Sequence, residues 1–300
     1  MSGSKPVVLI DTERLPEEGN WRWCPADPRR GTEEFYTATA RELTARGNTV
    51  VVRYDGPDAD VDGVVYVPRE RDVSFAFDVS LACNQDPRTA GEYERRCAPE
   101  GQRVVWWTNK YGQTYADVVR GGGGPDAYVV ISNYHRLAFG RGAVIGHGCD
   151  HERLPRPAAK APIAAYTSSP DRGLDFLRGV WPEIEKATGV RLVATDGSMT
   201  NAEVDNLYTA AKFWVHPGLG VELFCISALK AQVAGCIPIV VPHMALEETV
   251  RFGCKTDLWR FAEAAIETIR GASSVTVPHA SDFPTWASVT ADLAAVLGVK

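Results

Sequence analysis

Several features are missing from this 300-residue sequence, and each absence removes a class of function. No run of about 18 apolar residues occurs, so a membrane-spanning helix is not expected. The opening MSGSKP is short and polar and has no apolar stretch of a signal peptide. Seven cysteines (24, 83, 97, 149, 225, 236, 254) are scattered without a C-x-x-C pair, which argues against a zinc or dithiol motif. An odd number of thiols behind a polar start fits reduced cysteines in the cytoplasm. No H-E-x-x-H motif accompanies the six histidines. Excess positive charge is also absent: the net charge is −6, opposite to the basic stripe of a dedicated nucleic-acid binder. Core-building material is not scarce, with 45% hydrophobic and 23% charged residues.

What is present is a strand–helix alternation. The apolar PVVLI (6–10) has the run of a buried parallel strand. After it, Phe35, Tyr36, Thr39, Ala40 and Leu43 keep helical spacing up to Gly47, and Val50–Val52 form the next strand. GVVYV (63–67), RVVWWTN (103–109), DAYVVIS (126–132) and GAVIGHG (142–148) continue as strands, and VSFAFDVSL (73–81) reads as strand pieces around a turn. The four glycines at 121–124 precede a strand, so they read as a surface loop and not as a phosphate cradle. HERLPRPAAKAP (151–162) carries three prolines and no apolar periodicity, and reads as a linker. Beyond it the alternation restarts. IAAYTS, RLVAT and FWVHP are strands, GLDFLRGVWPEIEKATG is a helix, and TNAEVDNLYTAAK opens with a capping box from Thr200 to Glu203. Two further helices fall near 257–270 and 284–298. The expectation is an α/β protein of two facing Rossmann-like domains with parallel sheets. These are residues 1–150 and 163–283, joined by the linker 151–162, with the helix 284–300 packing back on the first domain. Ligands of such sheets bind at the carboxyl ends of the strands, here in an interdomain cleft.

The segment GVELFCISALKAQVAGCIPIVV (220–241) carries the most chemistry. A loop leads into a helix amino terminus, whose N–H groups and dipole suit an anion such as a diphosphate. Ser227 adds a hydroxyl, Glu222 can accept from sugar hydroxyls, and Lys230 shares the side of Ile226, Leu229 and Val233. On this segment alone, an ordinary crossover helix with a solvated Glu and Lys is an equal reading. DADVD (58–62) contains the D-x-D of some metal-dependent transferases but lies in a polar loop, and no metal site is assigned.

The segment resembles the donor-binding signature of retaining GT-B glycosyltransferases of the family 4 type, E-x-F-G-I followed by a second Glu and a G-x-P helix end. Here these positions are Glu222, Phe224, Cys225 in place of Gly, Ile226, Lys230 in place of the second Glu, Gly235 and Pro238. Glu248 and Gly253 match a downstream E-x-V-x-x-G, YTSSPDRG (166–173) resembles the family's first donor-domain loop, and VIGHGCD (144–150) its domain junction. RGTEEFYTATARELTARGNTVVV and VISNYHR resemble amino-terminal-domain segments. The resemblance implies transfer of a hexose-like sugar, with retention, from a nucleoside-diphosphate sugar to a hydroxyl acceptor. That sugar nucleotide is a co-substrate, and neither a cofactor nor a metal is implied. It assigns catalytic roles to Glu222 and Arg172, and donor contacts to Ser168, Ser169, Phe224, Cys225, Ile226, Ser227 and Lys230. On the acceptor side it points to Gly31, Thr32, Glu33, Asn109, Lys110 and His147, with Trp107 and Tyr111 as stacking surfaces if they are not core. An ammonium at 230 can only donate. It can therefore pair with Glu222 or another acid, contact phosphate or ribose oxygens, or mark a lost donor site. The alternatives are a non-catalytic nucleotide-sugar binder of the same fold and a transferase acting on modified DNA bases, the latter resting on Arg clusters such as DPRRG (27–31).

Overall fold

The computed structural model describes residues 5–12, 24–26, 31–71, 77–84, 103–108, 116, 125–195 and 199–300. The chain divides into two compact units, one of residues 1–147 with 286–300, the other of residues 148–285.

The first unit holds an eight-stranded sheet. Its strands are β1 (Val7–Asp11), β2 (Thr49–Tyr54), β3 (Ala59–Val61), β4 (Val64–Pro68), β5 (Val79–Cys83), β6 (Arg103–Thr108), β7 (Ala127–Val130) and β8 (Ala143–Val144), in the order β3-β4-β2-β1-β5-β6-β7-β8. Every pairing is parallel except β3 with β4. The acidic 58–62 segment is therefore not a loop. Its residues 59–61 form a short antiparallel edge, turned into β4 by Asp62 at φ 55° and Gly63 at φ 75°. Among the described residues, α1 (Gly31–Ala45) and the last helix of the chain, given below, pack on this sheet. A helix absent from the sequence reading, α2 (Asn133–Phe139), follows β7 and is capped by the Ser132 hydroxyl on the His135 amide.

The second unit holds the five-stranded, all-parallel order β10-β9-β11-β12-β13. Its strands are β9 (Ala161–Tyr166), β10 (Arg191–Ala194), β11 (Ala211–His216), β12 (Ile237–Val240) and β13 (Cys254–Lys255). Successive side chains alternate between two cores. Ala164, Tyr166, Phe213, Val215, Ile237 and Ile239 meet α3 (Leu174–Thr188) and α7 (Phe261–Arg270) on one face. Ala165, Trp214 and Val240 meet α4 (Asn201–Ala210) and α5 (Ile226–Val233) on the other. The capping box of Thr200 and Glu203 is formed at the start of α4. One turn, α6 (Leu246–Thr249), links β12 to β13.

Residues 151–162 do not behave as a loose linker. The Arg156 guanidinium donates to the carbonyls of Gln232 (2.9 Å), Val233 (2.6 Å) and Pro278 (2.5 Å), closing the carboxyl end of α5. Lys160 donates to the carbonyls of Tyr208, Thr209 and Ala211 at 2.8–3.0 Å, closing α4. Helix carboxyl ends carry orphan carbonyls and partial negative charge, so a cation is their natural cap. Ala161 and Pro162 already belong to β9. The last helix, α8 (Trp286–Leu297), belongs to the first unit, where Trp286 meets Phe35 and His147 edge-on.

Candidate functional site

In the second unit the chain leaves β9 toward β10 on one side and returns to β11 on the other. The strand order reverses between β9 and β11, the kind of switch point at which open α/β sheets place their ligands. After β9 come Thr167, Ser168, Ser169 and a 3-10 turn, Pro170–Arg172. After β11 come residues 217–225 and then α5. The two loops touch. A Cβ on Gly173 would lie 2.3 Å from Pro217, and one on Gly220 would lie 3.2 Å from the Arg172 stem. Glycine at both places, each with positive φ, lets the loops close on one another.

At this junction the Arg172 guanidinium forms an ion pair with Glu222, although fifty positions separate them in sequence. Glu222 is 5% exposed and Arg172 35%, so the carboxylate is buried and the cation reaches the surface. The Glu222 carbonyl accepts from the Ala245 amide at 3.1 Å, and the Phe224 carbonyl accepts from the Thr249 hydroxyl. Behind the first loop, Thr167 Oγ1 accepts from the Tyr208 hydroxyl (2.8 Å) and Trp214 Nε1 (3.0 Å). Ser227, at the start of α5, donates to the Thr167 carbonyl at 3.3 Å, so its hydroxyl staples the two loops together. Ser168 is half-buried and Ser169 exposed, with the Ser169 carbonyl held by the Tyr166 hydroxyl at 2.6 Å.

Cys225 sits at the amino end of α5 with φ 64°, the left-handed region that glycine enters without strain. Its sulfur faces the amides of Ser227 and Ala228, and burial pushes the thiol up to about 11, so it is protonated at neutral pH. Ile226 and Phe224 are half-buried beside it.

Lys230 does not meet Glu222. Its ammonium lies 3.6 Å from Asp205 of α4, and Arg153 holds the same carboxylate at 2.5 Å. Of the alternatives left open by the sequence, pairing with another acid is the geometry found, and Asp205 was not among the residues singled out. The signal was available: a helix residue next to the apolar stripe of α4 that carries a charge needs a counter-ion once that stripe is buried.

His216, which the sequence places after a strand of the second half and favours as a structural histidine, is the last residue of β11 and 0% exposed. Its Nδ1 accepts from the Gly218 amide at 3.0 Å, which places the ring proton on Nε2. Nε2 faces Glu222 Oε1 at 3.8 Å. Burial first, and the Arg172 charge second, push its pKa down to about 3, so the ring is neutral. The donor atoms of His216, Glu222 and Cys225 lie within 4.8 Å of one another, a spacing compatible with a divalent ion. The tautomer opposes that use: with the Nδ1 lone pair taken, Nε2 carries hydrogen and offers no lone pair.

The acceptor-side candidates fall in the first unit. Gly31, Thr32 and Glu33 form the first turn of α1, and the Glu33 side chain is fully buried. His147 is enclosed by the rings of Phe35, Trp107 and Trp286, each edge-on at 5.6–6.1 Å. Trp107 stacks on Phe35 at 4.1 Å and is core, not a sugar platform. Asn109, Lys110 and Tyr111 lie outside the described residues, as do residues 27–30 of the Arg-rich DPRRG segment and the four glycines.

No family model and no curated protein matches the sequence. Solved structures do match. A glycosyltransferase involved in avilamycin A biosynthesis, AviGT4, superimposes with TM-score 0.67 at 17% identity, over 97% of this chain and 96% of that one. HepE from Anabaena in complex with UDP and glucose gives 0.67 at 12% identity, over 97% and 99%. Sucrose-phosphate synthase from Thermosynechococcus elongatus gives 0.62 at 14% identity, over 99% and 95%. Likeness at such low identity is a statement about backbone, and what it establishes is that the chain has the two-domain Rossmann-like α/β architecture of these GT-B proteins.

Proposed function

We propose that this protein is a glycosyltransferase that takes a hexose-like sugar from a nucleoside-diphosphate sugar and transfers it to a hydroxyl acceptor. The observation that carries the reading is the meeting of Arg172 and Glu222 at the β9/β11 switch point, beside the amino terminus of α5. A guanidinium next to a helix amino end suits a diphosphate, because both stabilise the charge that grows on the leaving group as the glycosidic bond breaks. Glu222 is an acceptor only, and so suits sugar hydroxyls. In this reading the diphosphate draws Arg172 away from Glu222, and the carboxylate takes a sugar hydroxyl in exchange. Charge on the departing diphosphate is countered by Arg172 and the α5 amides, with no metal required. Retention at the sugar carbon follows from the resemblance of 222–238 to the family 4 signature.

Lys230 and Asp205 favour keeping the site over losing it. The cation has an anionic partner within the unit, Asp205 of α4, which it shares with Arg153. The test is calorimetry with UDP, ADP, GDP and their glucose conjugates on the wild type, Arg172→Ala and Glu222→Ala. Arg172→Ala is expected to weaken the nucleoside diphosphate itself by about 2–3 kcal/mol, the scale of a charge-assisted contact. Glu222→Ala is expected to weaken only the sugar conjugate. Binding of all six ligands unaltered by either substitution overturns the proposal.

A further inference from the structure

His216 is not explained by the fold. Its Nε2 is buried and has no hydrogen-bond partner, and leaving a buried N–H unpaired costs about 1–3 kcal/mol. Yet the ring is held in a fixed pose. Tyr166 and Trp214 lie against it with ring centroids at 6.1 and 5.7 Å, and the Gly218 amide pins Nδ1. That amide is itself placed by backbone only glycine supports, with φ 67° and room for a Cβ closed off by the Val241 carbonyl at 2.5 Å. The neighbourhood therefore fixes the ring and leaves its Nε2–H 3.8 Å from Glu222 Oε1. That distance exceeds a direct hydrogen bond, but one oxygen about 2.7–3.0 Å from each atom can bridge the two from beside the line that joins them.

We propose that His216 is a hydrogen-bond donor of the sugar site and that, together with Glu222, it reads one sugar hydroxyl. The inference rests on the nucleotide-sugar reading above and adds the group recognised. The chemistry of the pair is selective. A phosphate or carboxylate oxygen would accept from Nε2–H but meet a buried anion at Glu222. An amine would pair with Glu222 but leave Nε2–H unmet. A hydroxyl does both, accepting from His216 and donating to Glu222. Arg172 now occupies the Glu222 oxygen that His216 faces, so the hydroxyl enters as the guanidinium leaves for the diphosphate. The ring stays neutral well below neutral pH, because burial and Arg172 disfavour its charged form.

The test compares UDP, UDP-glucose and the four monodeoxy UDP-glucose analogues (2-, 3-, 4- and 6-deoxy) by calorimetry, on the wild type, His216→Phe and His216→Gln. One deoxy analogue is expected to bind the wild type at least tenfold more weakly than UDP-glucose. The same analogue is expected to match UDP-glucose on His216→Phe, with UDP itself bound within about threefold of wild type. His216→Gln, which keeps an N–H donor, is expected to recover part of the discrimination. Absence of any deoxy penalty on the wild-type protein overturns the assignment irrespective of how the variants fold. So does an equal penalty on wild type and His216→Phe, or equal weakening of UDP and UDP-glucose by the Phe substitution. If the wild type binds neither UDP nor UDP-glucose while the ADP and GDP conjugates bind, the same deoxy comparison is run on the conjugate that binds. If none binds, the donor-site reading itself fails.

Discussion

His216 titrates far below an ordinary histidine, and the sign of the consequence is fixed. The unfolded chain takes up its proton near 6.5 and the folded chain only near 3. The stabilising effect of the neutral ring is complete above 6.5 and lost as pH falls through that window. Urea unfolding of the wild type between about pH 6 and 4 should show a loss of about 1.4 kcal/mol per pH unit from this proton, and His216→Gln should lack that share of the slope. Lys230 makes a second prediction at this scale. Changing it to Glu faces a carboxylate with Asp205, now 3.6 Å from the ammonium, in a buried setting. Unfolding measurements should find Lys230→Glu destabilised by about 3–5 kcal/mol, the cost of breaking a buried pair. Cys225 makes a third. Glycine relieves its φ of 64° but removes buried sulfur, so Cys225→Gly should stay within about 1 kcal/mol of wild type. The β-branched Cys225→Val should lose clearly more.

At the scale of elements, most of the strands and longer helices were legible because both units keep strong periodicity. The capping box at Thr200, the α3 stop at Gly189 and the run 237–240 are local signals with local causes. Elements that depend on neighbours were not legible. The edge strand 59–61 has an acidic sequence and exists because β4 offers it a pairing edge. The strap 151–160 has linker composition, yet it is anchored by two cations whose partners are main-chain carbonyls 48 to 122 positions away. Replacing Lys160 with Ala removes the donor shared by three carbonyls. A stability loss of about 1.5–3 kcal/mol is expected in denaturant unfolding, with faster amide exchange at the carboxyl end of α4.

On the scale of the whole molecule, the last helix completes the first unit and not the one that precedes it in sequence. Trp286 is 3% exposed against Phe35 and His147. Trp286→Ala should cost about 3–5 kcal/mol. Hydrogen exchange should show the loosening in residues 31–147 more than in 148–285. Sequence alone determined the α/β class and the order of most elements, because these follow from short-range periodicity and turn chemistry, and its resemblance to the family 4 signature pointed to 166–173 and 220–238, the segments that hold Arg172 and Glu222. Tertiary structure decided which charges meet. Arg172 finds Glu222, and Lys230 finds Asp205, only because parallel strands bring the ends of β9 and β11 side by side and pack α4 against α5. It also decided that His216 keeps a proton on Nε2, since that depends on a glycine amide folded back two residues later and on burial that no stretch of sequence displays.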